Sequence, residues 1–464
     1  MGVNSLTCRG VVYMDQYFSF YSDLNPSKTS DQACTNNENP RLNSAERNQI
    51  ELRFGSLDDL LPPEHKARFV WSFVNQLDLS NILSKIRVVE HGAGRPATDP
   101  KILLAIWLYA TLDGNVSARA INAYCREHVA YQWLCGGVKM NYHTLSDFAT
   151  KHGEEFNEFL IQSIAILMKQ GFVNLEEVAQ DGIKIRAHAG GSSFRRESTL
   201  QKYYEDAKQY LTKLRLELEQ HPEKSRSRKE TANLRAAKER EENVKKALDE
   251  LKKFKEEKSK NAKKHRKKLK EKELQSMRAS TTDPEARIMK MACNGFRPAY
   301  NVQFASASHG QVIIAVDVVN QGNDAGLITP MLSNIKENHN EIPKNHLVDG
   351  GYVDYKEINR AKELFSECTL FMPIRISPNS KKDPNVPQPG DSEAVAEWRK
   401  RMGTDEAKKI YKRRGSIAEF SNAQVRNMGL QQFLVRGLNK IKSVALRFAL
   451  AHNMQRLFSL QGCN

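Results

Sequence analysis

From Glu197 to Ser276 the chain is dense in Lys, Arg and Glu and contains no glycine. Within it Leu200, Tyr204, Ala207, Leu211, Leu214 and Leu218 recur at alternating spacings of four and three, the pattern of a heptad seam. HPEKSRS (221–227) breaks that helix, and Leu234, Ala237, Val244, Leu248 and Leu251 carry a second seam, so the segment reads as an antiparallel helical hairpin. Its position constrains the fold most. VNLEEVAQDGIKIRAHA, just before it, alternates apolar and polar residues as a strand does, and AYNVQFAS and QVIIAVDVV resume the strand pattern after it. A chain that starts a strand, leaves for a helical hairpin and returns to strands carries the hairpin as an insertion in a sheet domain. The run KSKNAKKHRKKLKEK near its end reads first as a solvated arm, with DNA contact as the alternative.

The segments ahead of the first strand divide in two. Residues 1–45 hold many Ser, Asn, Asp and Thr and few aliphatics, and are expected to form an irregular leader. Residues 46–170 read as an all-helical domain of four or five helices. One start is Thr98 as N-cap with Asp99 and Pro100 behind it, and Leu103, Ile106, Trp107 and Ala110 share the buried face. Further starts are expected at Ser117 and at Thr144, where Asp147 stands at capping-box distance. A bland helical bundle and a DNA-binding one fit this pattern equally.

The chain has 464 residues, 71 Lys and Arg against 55 Asp and Glu, and a net charge of +16. The length suggests two or three domains, and the charge favours a polyanionic partner, most simply nucleic acid. No apolar run is long enough for a spanning helix, so no membrane partner is expected. The seven cysteines are scattered without a C-x-x-C pair, which excludes a disulfide framework and a zinc site and points to a cytoplasmic protein.

After the hairpin come helix ITPMLSNIKENH, strand NHLVDGGY, helix YKEINRAKELFSE, strand CTLFMPI and a helical run from Glu393 to Leu460. The fold class is α+β or mixed α/β, a mixed sheet covered by helices over 171–196 and 277–464, with 197–276 inserted after the first strand. Three carboxylates are placed for metal chemistry: Asp181 in the first strand, Asp349 at the end of a later one, and Glu419 in the helical stretch IAEFSNAQVRN. Hard oxygen ligands on strand ends and one helix suit two Mg²⁺ ions in an in-line displacement at phosphorus. Each taken alone is equally a solvated acid. Gly182, Gly350 and Gly351 leave room for a substrate backbone beside Asp181 and Asp349, or simply end a strand. Glu419, Asn422 and Arg426 share a helix face near Tyr411 and Arg414, either as an ion-pair face or as a carboxylate with a guanidinium for phosphate. Asp283 and Glu285 in TDPEAR are read as structural.

These segments together resemble the DDE transposases of bacterial insertion sequences, specifically the insertion-sequence 1182 family. The resemblance covers nearly everything from Leu57 onward. It rests on LPPEHKARFVWSFVNQLDLS and GRPATDPKILLAIWLYATLDGNVSARAINAYCREHVAYQWLCGG, similar to the InsH-type N-terminal domain, and on DGIKIRAHA, TDPEARIMKMACNGFRPAYNVQFA, LVDGGY and YKRRGSIAEF. It implies an RNase H-like catalytic domain in which Asp181, Asp349 and Glu419 hold Mg²⁺ or Mn²⁺. It also implies double-stranded DNA partners, namely terminal inverted repeats and target DNA, contacted by Tyr411, Arg414, Arg426, Lys184 and Arg186, and a homodimer that holds both ends. Against the family's Tyr, Arg, Glu, Lys signature, Tyr411 to Arg414 fits, Arg414 to Glu419 is one residue longer, and Arg426 replaces the Lys. The expected function is metal-dependent cleavage at element ends and strand transfer. The alternatives are a transposase-derived DNA-binding protein without the reaction, and a structural coiled-coil protein, which accounts only for 197–276.

Overall fold

A computed structural model describes residues 55–87, 96–220, 228–264, 271–292, 295–374 and 383–462. The expected leader over 1–45, the break HPEKSRS and the centre of the cationic run KSKNAKKHRKKLKEK lie outside the described residues. Seven helices come first among those described: α1 (Lys66–Asn75), α2 (Ser80–Ser84), α3 (Pro100–Leu112), α4 (Ala118–Glu127), α5 (Val129–Cys135), α6 (Tyr142–Lys151) and α7 (Gly153–Lys169). Leu103, Ile106, Trp107 and Ala110 of α3 are all buried, as the periodicity predicts.

Two expected helix starts move. The cap of α3 is Asp99, whose carboxylate accepts from the Lys101 amide at 2.8 Å, because Pro100 occupies the first helical position and Thr98 lies one residue too early. Asn141 caps α6 by accepting from the His143 amide at 2.9 Å, so Thr144 falls inside the helix, and Asp147 pairs with Lys151 at 2.9 Å. The long helix expected from Thr144 is two, α6 and α7, broken at His152. At the break Gly153 meets the C-terminal helix so closely that a Cβ there would lie 2.7 Å from Ser443 Oγ.

Strand β1 (Glu177–Arg186) follows, then β2 (Phe194–Arg196), α8 (Glu197–Gln220), α9 (Arg228–Lys264), α10 (Glu271–Ser276) and β3 (Arg278–Ser280). The hairpin is antiparallel as its two seams predict: Leu200 packs with Val244, Ala247 and Leu251, and Leu211 and Leu214 pack with Ala237. β2 and β3 pair antiparallel, Phe194 opposite Ser280, which ties the two ends of the insertion into a short ribbon. Arg287 holds its flank to the body by an ion pair to Glu250 at 2.9 Å.

The remaining strands are β4 (Arg287–Lys290), β5 (Phe296–Ala307) and β6 (Ile313–Val319), then α11 (Ile328–His339), β7 (Asn345–Leu347), α12 (Tyr355–Leu364) and β8 (Thr369–Phe371). They complete a sheet of order β4-β5-β1-β7-β8, with β6 also paired to β5. β1 lies antiparallel to β5 from Val178↔Ala307 to Arg186↔Ala299, and parallel to β7 from Glu177↔Asn345 to Ala179↔Leu347. The helical run ends the chain as α13 (Glu393–Met402), α14 (Asp405–Lys412), α15 (Arg414–Asn427) and α16 (Leu438–Leu460).

Helix α16 joins the bundle to the sheet. Its buried face packs on α3, α6, α7 and β6, and one continuous apolar core runs from Leu61 through Ile183 and Val316 to Leu457. Asn453 accepts from the Ile313 amide and donates to its carbonyl, both at 2.8 Å, which satisfies the free edge of β6. The N-terminus of α16 is held by TDPEAR: Glu285 accepts from the Leu438 amide at 2.7 Å, and buried Asp283 accepts from Tyr300 Oη at 2.8 Å and the Gly437 amide at 3.3 Å. These acids are structural, as the sequence favours. Leu450, fully buried in α16, is therefore expected to cost about 3 kcal/mol when cut to Ala, whereas half-exposed Leu216 on the hairpin should cost under about 0.5 kcal/mol. Urea denaturation of the two variants checks the contrast.

Candidate active site

The register of β1 decides which side chains meet. Alternate residues of a strand face opposite sides, so Ala179, Asp181 and Ile183 share one face and Gln180, Gly182 and Lys184 the other. Leu347 pairs with Ala179 in the parallel direction, and Asp349 follows two residues on, past the end of β7, near enough to Asp181 to raise its carboxyl. Its Oδ1 accepts from the Gly351 amide at 2.7 Å and starts the short turn Gly350–Tyr352.

Helix α15 covers this face. Ser306 Oγ on β5 donates to Ser421 Oγ at 2.9 Å, and this contact fixes the helix against the sheet. Two of its side chains then reach Asp181: Arg414 Nη2 lies 2.8 Å from Oδ1, and Asn422 Nδ2 donates to Oδ2 at 2.9 Å. Even so, burial raises the Asp181 carboxyl from 3.8 to about 6; Arg414 opposes the rise, and Asp349 and Asp324 add to it.

Asp324 is the residue that sequence reasoning missed. Its Oδ1 accepts from Asn301 Nδ2 at 2.7 Å and Gln303 Nε2 at 2.8 Å, on the strand beside β1. A Cβ on Gly182 would lie 2.6 Å from Asp324 Oδ1 and 2.3 Å from Gln303 Nε2, and one on Gly351 would lie 2.8 Å from Asp349 Oδ1 and 3.5 Å from Asp324 Oδ2. Gly182 thus makes room for a third carboxylate, and Gly351 for the carboxylate of Asp349 itself. Below them, Tyr352 Oη donates to Gln303, Gln180 Nε2 donates to Gln303 Oε1 at 2.9 Å, and Gln180 Oε1 is 3.0 Å from buried His346. Burial drives His346 down to about 3, so it stays neutral in this network.

The other predicted residues separate. Tyr411 is half-buried; burial raises its hydroxyl, Arg414 opposes, and the charges of Asp349 and Asp181 add to the rise. Glu419 is exposed on α15, one turn before Asn422, and makes no hydrogen bond or ion pair among the described residues. Arg426 is exposed in the last turn of the same helix. Lys184 is half-buried on the Gly182 face, and exposed Arg186 lies five residues beyond Asp181, about 16 Å at the rise of an extended strand. The structure therefore brings Arg414 and Asn422 onto Asp181, with Asp349 and Asp324 near enough to act on its charge, and leaves Glu419 and Arg426 exposed on α15.

The oxygen donors here suit a hard divalent cation rather than zinc or copper. Among the described residues, no three His, Cys, Asp or Glu side chains stand arranged around one point for an ion. The charge that faces Asp181 is that of Arg414. No helix among the described residues is long and apolar enough to cross a membrane.

Comparison with known families gives the class. Residues 55–151, which carry α1 to α6, match the family described as transposase domain (DUF772), and residues 379–458, which carry α13 to most of α16, match the transposase DDE domain. The chain thus carries two transposase domains. The second match contains Tyr411, Arg414, Glu419 and Arg426 and does not reach Asp181, Asp324 or Asp349. No curated protein and no solved structure matches the chain.

The raised Asp181 carboxyl has a stability consequence. Its folded value lies above the unfolded one, so the group favours the fold below pH 4 and loses that contribution as pH rises through about 6. Asp181→Asn mimics the protonated acid. In EDTA it should exceed the wild type in stability by on the order of 3 kcal/mol at pH 7.5, with the difference vanishing near pH 4. Chemical denaturation at the two pH values measures this, and an equal difference at both would refute it.

Proposed function

We propose that the protein is a DNA transposase of the insertion-sequence 1182 type, which cuts at the ends of its element and joins the freed 3′-hydroxyl to target DNA. The observation that carries this is the pair Asp181 on β1 and Asp349 just past the end of β7, the first of them held by a helix that belongs to a matched transposase DDE domain. The strand order supports an RNase H-like reading of residues 171–196 and 277–464: β6 and β1 each run antiparallel to β5, β1, β7 and β8 run parallel, and a helix lies across β1.

Asp181, Asp349 and Glu419 would be the residues to hold Mg²⁺ or Mn²⁺, although the three do not surround one point here and Glu419 is exposed on α15. When bound, the metal polarises the phosphodiester and steadies the charge on the attacking and leaving oxygens. The chain's own groups do the positioning. Asn422 fixes one oxygen of Asp181, and the Gly351 amide fixes one oxygen of Asp349. Arg414 supplies positive charge at Asp181 and, released from it, a bidentate grip for a phosphate. In the first step water adds to phosphorus and the 3′-oxygen leaves with a proton. In the second, that 3′-hydroxyl adds to a target phosphorus, gives up its proton, and displaces the target's own 3′-oxygen. The net charge of +16 fits a duplex partner. The helical segment 46–170 is the proposed reader of the terminal repeats, in a homodimer that holds two ends. A second reading, a DNA binder without the reaction, draws on the Asp181–Arg414 ion pair, which keeps that carboxylate occupied.

A labelled duplex bearing the element's ends, incubated with Mg²⁺ or with EDTA, separates the two. Wild type should nick at the repeat boundary only with Mg²⁺. Asp349→Ala and Glu419→Gln should lose at least about 10²-fold of that rate, as expected when charge stabilisation at the reacting phosphate is removed, while still binding the duplex. Specific binding without nicking in the wild type would establish the second reading.

A further inference from the structure

Arg447 carries a charge without a counter-ion. It sits midway along α16 at 2% exposure, its guanidinium 4.0 Å from the Trp107 ring centroid and 5.6 Å from that of Phe448. Its Nε has no hydrogen-bond partner, and the guanidinium makes no hydrogen bond or ion pair among the described residues. Burial lowers it to about 9, so it remains charged at neutral pH. A buried cation without a counter-ion is costly, the Trp107 ring face offsets only part of that cost, and an anion that reached the guanidinium would be bound strongly.

Arg447 lines a cavity of about 280 Å³ between α3, the start of α4, α6 and the loop 429–435. No Asp or Glu lines that cavity; its polar lining is Arg119, Ser117, Tyr142, Ser146, Thr150 and Gln432. Ser117 is the N-cap of α4, yet its side chain makes no capping bond. The first amides of a ten-residue helix, which have no intrahelical partner, thus open on the same space as an unpaired guanidinium. Arg119 is exposed beside them, its guanidinium 5.3 Å from the Tyr142 ring centroid.

We propose that this cavity binds one phosphate of a DNA strand, held by the N-terminus of α4 and by Arg447, with Arg119 as the outer contact. Helix N-termini and arginine forks are the two protein devices that suit a phosphate oxyanion. The cavity lies where the two matched transposase domains meet, Trp107 and Arg119 from one and Arg447 from the other. A phosphate there would fix the register of the duplex against both without reading its sequence. This rests on the proposed DNA partner but not on the proposed cleavage.

The test uses the full chain and two probes, inorganic phosphate and a fluorescent random-sequence duplex. Phosphate should raise the wild-type melting temperature above that in chloride of equal ionic strength. Ser117→Asp, which puts a carboxylate at the uncapped helix start, should melt higher in chloride and lose the phosphate response, so a folding defect cannot mimic the result. In the duplex arm, Ser117→Asp and Arg119→Met should weaken binding about tenfold and lower the slope of log affinity against log salt by about one. No phosphate response, with wild-type duplex affinity and slope in both variants, overturns the site. A phosphate response with unchanged duplex binding overturns the DNA assignment in favour of a free anion. Failure to nick, with these duplex effects intact, counts against the proposed reaction alone.

Discussion

The pairing of β1 with β5 on one side and β7 on the other puts a carboxylate-bearing strand in the middle of the sheet, where both its edges are hydrogen-bonded. A slip of one residue against β7 would move Asp181 to the far face, away from Asp349 and α15. The long antiparallel ladder to β5 prevents that slip, and it explains how the chain tolerates a hairpin of two long helices inserted just after β1. The ribbon of β2 and β3 closes the insertion beyond the last β1 pair, so the hairpin hangs from the sheet without entering the ladder.

Placing acids there has an electrostatic cost. Asp181 is desolvated and faces Asp349 and Asp324, and one guanidinium does not offset this, because its carboxyl remains raised. The surrounding polar groups hold the acids in place instead of neutralising them: Asn301 and Gln303 fix Asp324, Asn422 fixes Asp181, and Gly351 fixes Asp349. Their glycine neighbours are part of this arrangement, since a side chain at Gly182 would strike Asp324 and Gln303. Apart from Arg414 on Asp181, the groups that hold the acids in place are themselves neutral.

Much of this was legible in the sequence where local periodicity decides. The heptad seams give the hairpin and its antiparallel sense, alternation gives β1, β5 and β6, and helix α11 falls on the predicted ITPMLSNIKENH. Caps were less legible: Asp99 rather than Thr98, and Asn141 rather than Thr144, because adjacent residues compete to accept the same orphan amides and backbone geometry chooses between them. Asp324 was hidden because it sits in QGNDAG, a stretch that reads as an ordinary turn; only the pairing of β5 with β1 brings Asn301, Gln303 and this loop beside Asp181. Arg447 was hidden for the same reason, its neighbours Trp107 and Phe433 lying far from it in sequence.

Two charge imbalances therefore stand at different places on one apolar core. Around Asp181 the acids outnumber the cation that faces them; around Arg447 a cation has no acid at all. Each is costly to an isolated protein. Under the proposed function a nucleic-acid complex would relieve both together, since a strand brings phosphates and the cations that attend them. Under the proposed function, the folded chain is held at a disadvantage that its substrate relieves, so binding energy from a phosphate at α4 and Arg447 becomes available to position the scissile bond at Asp181 and Asp349.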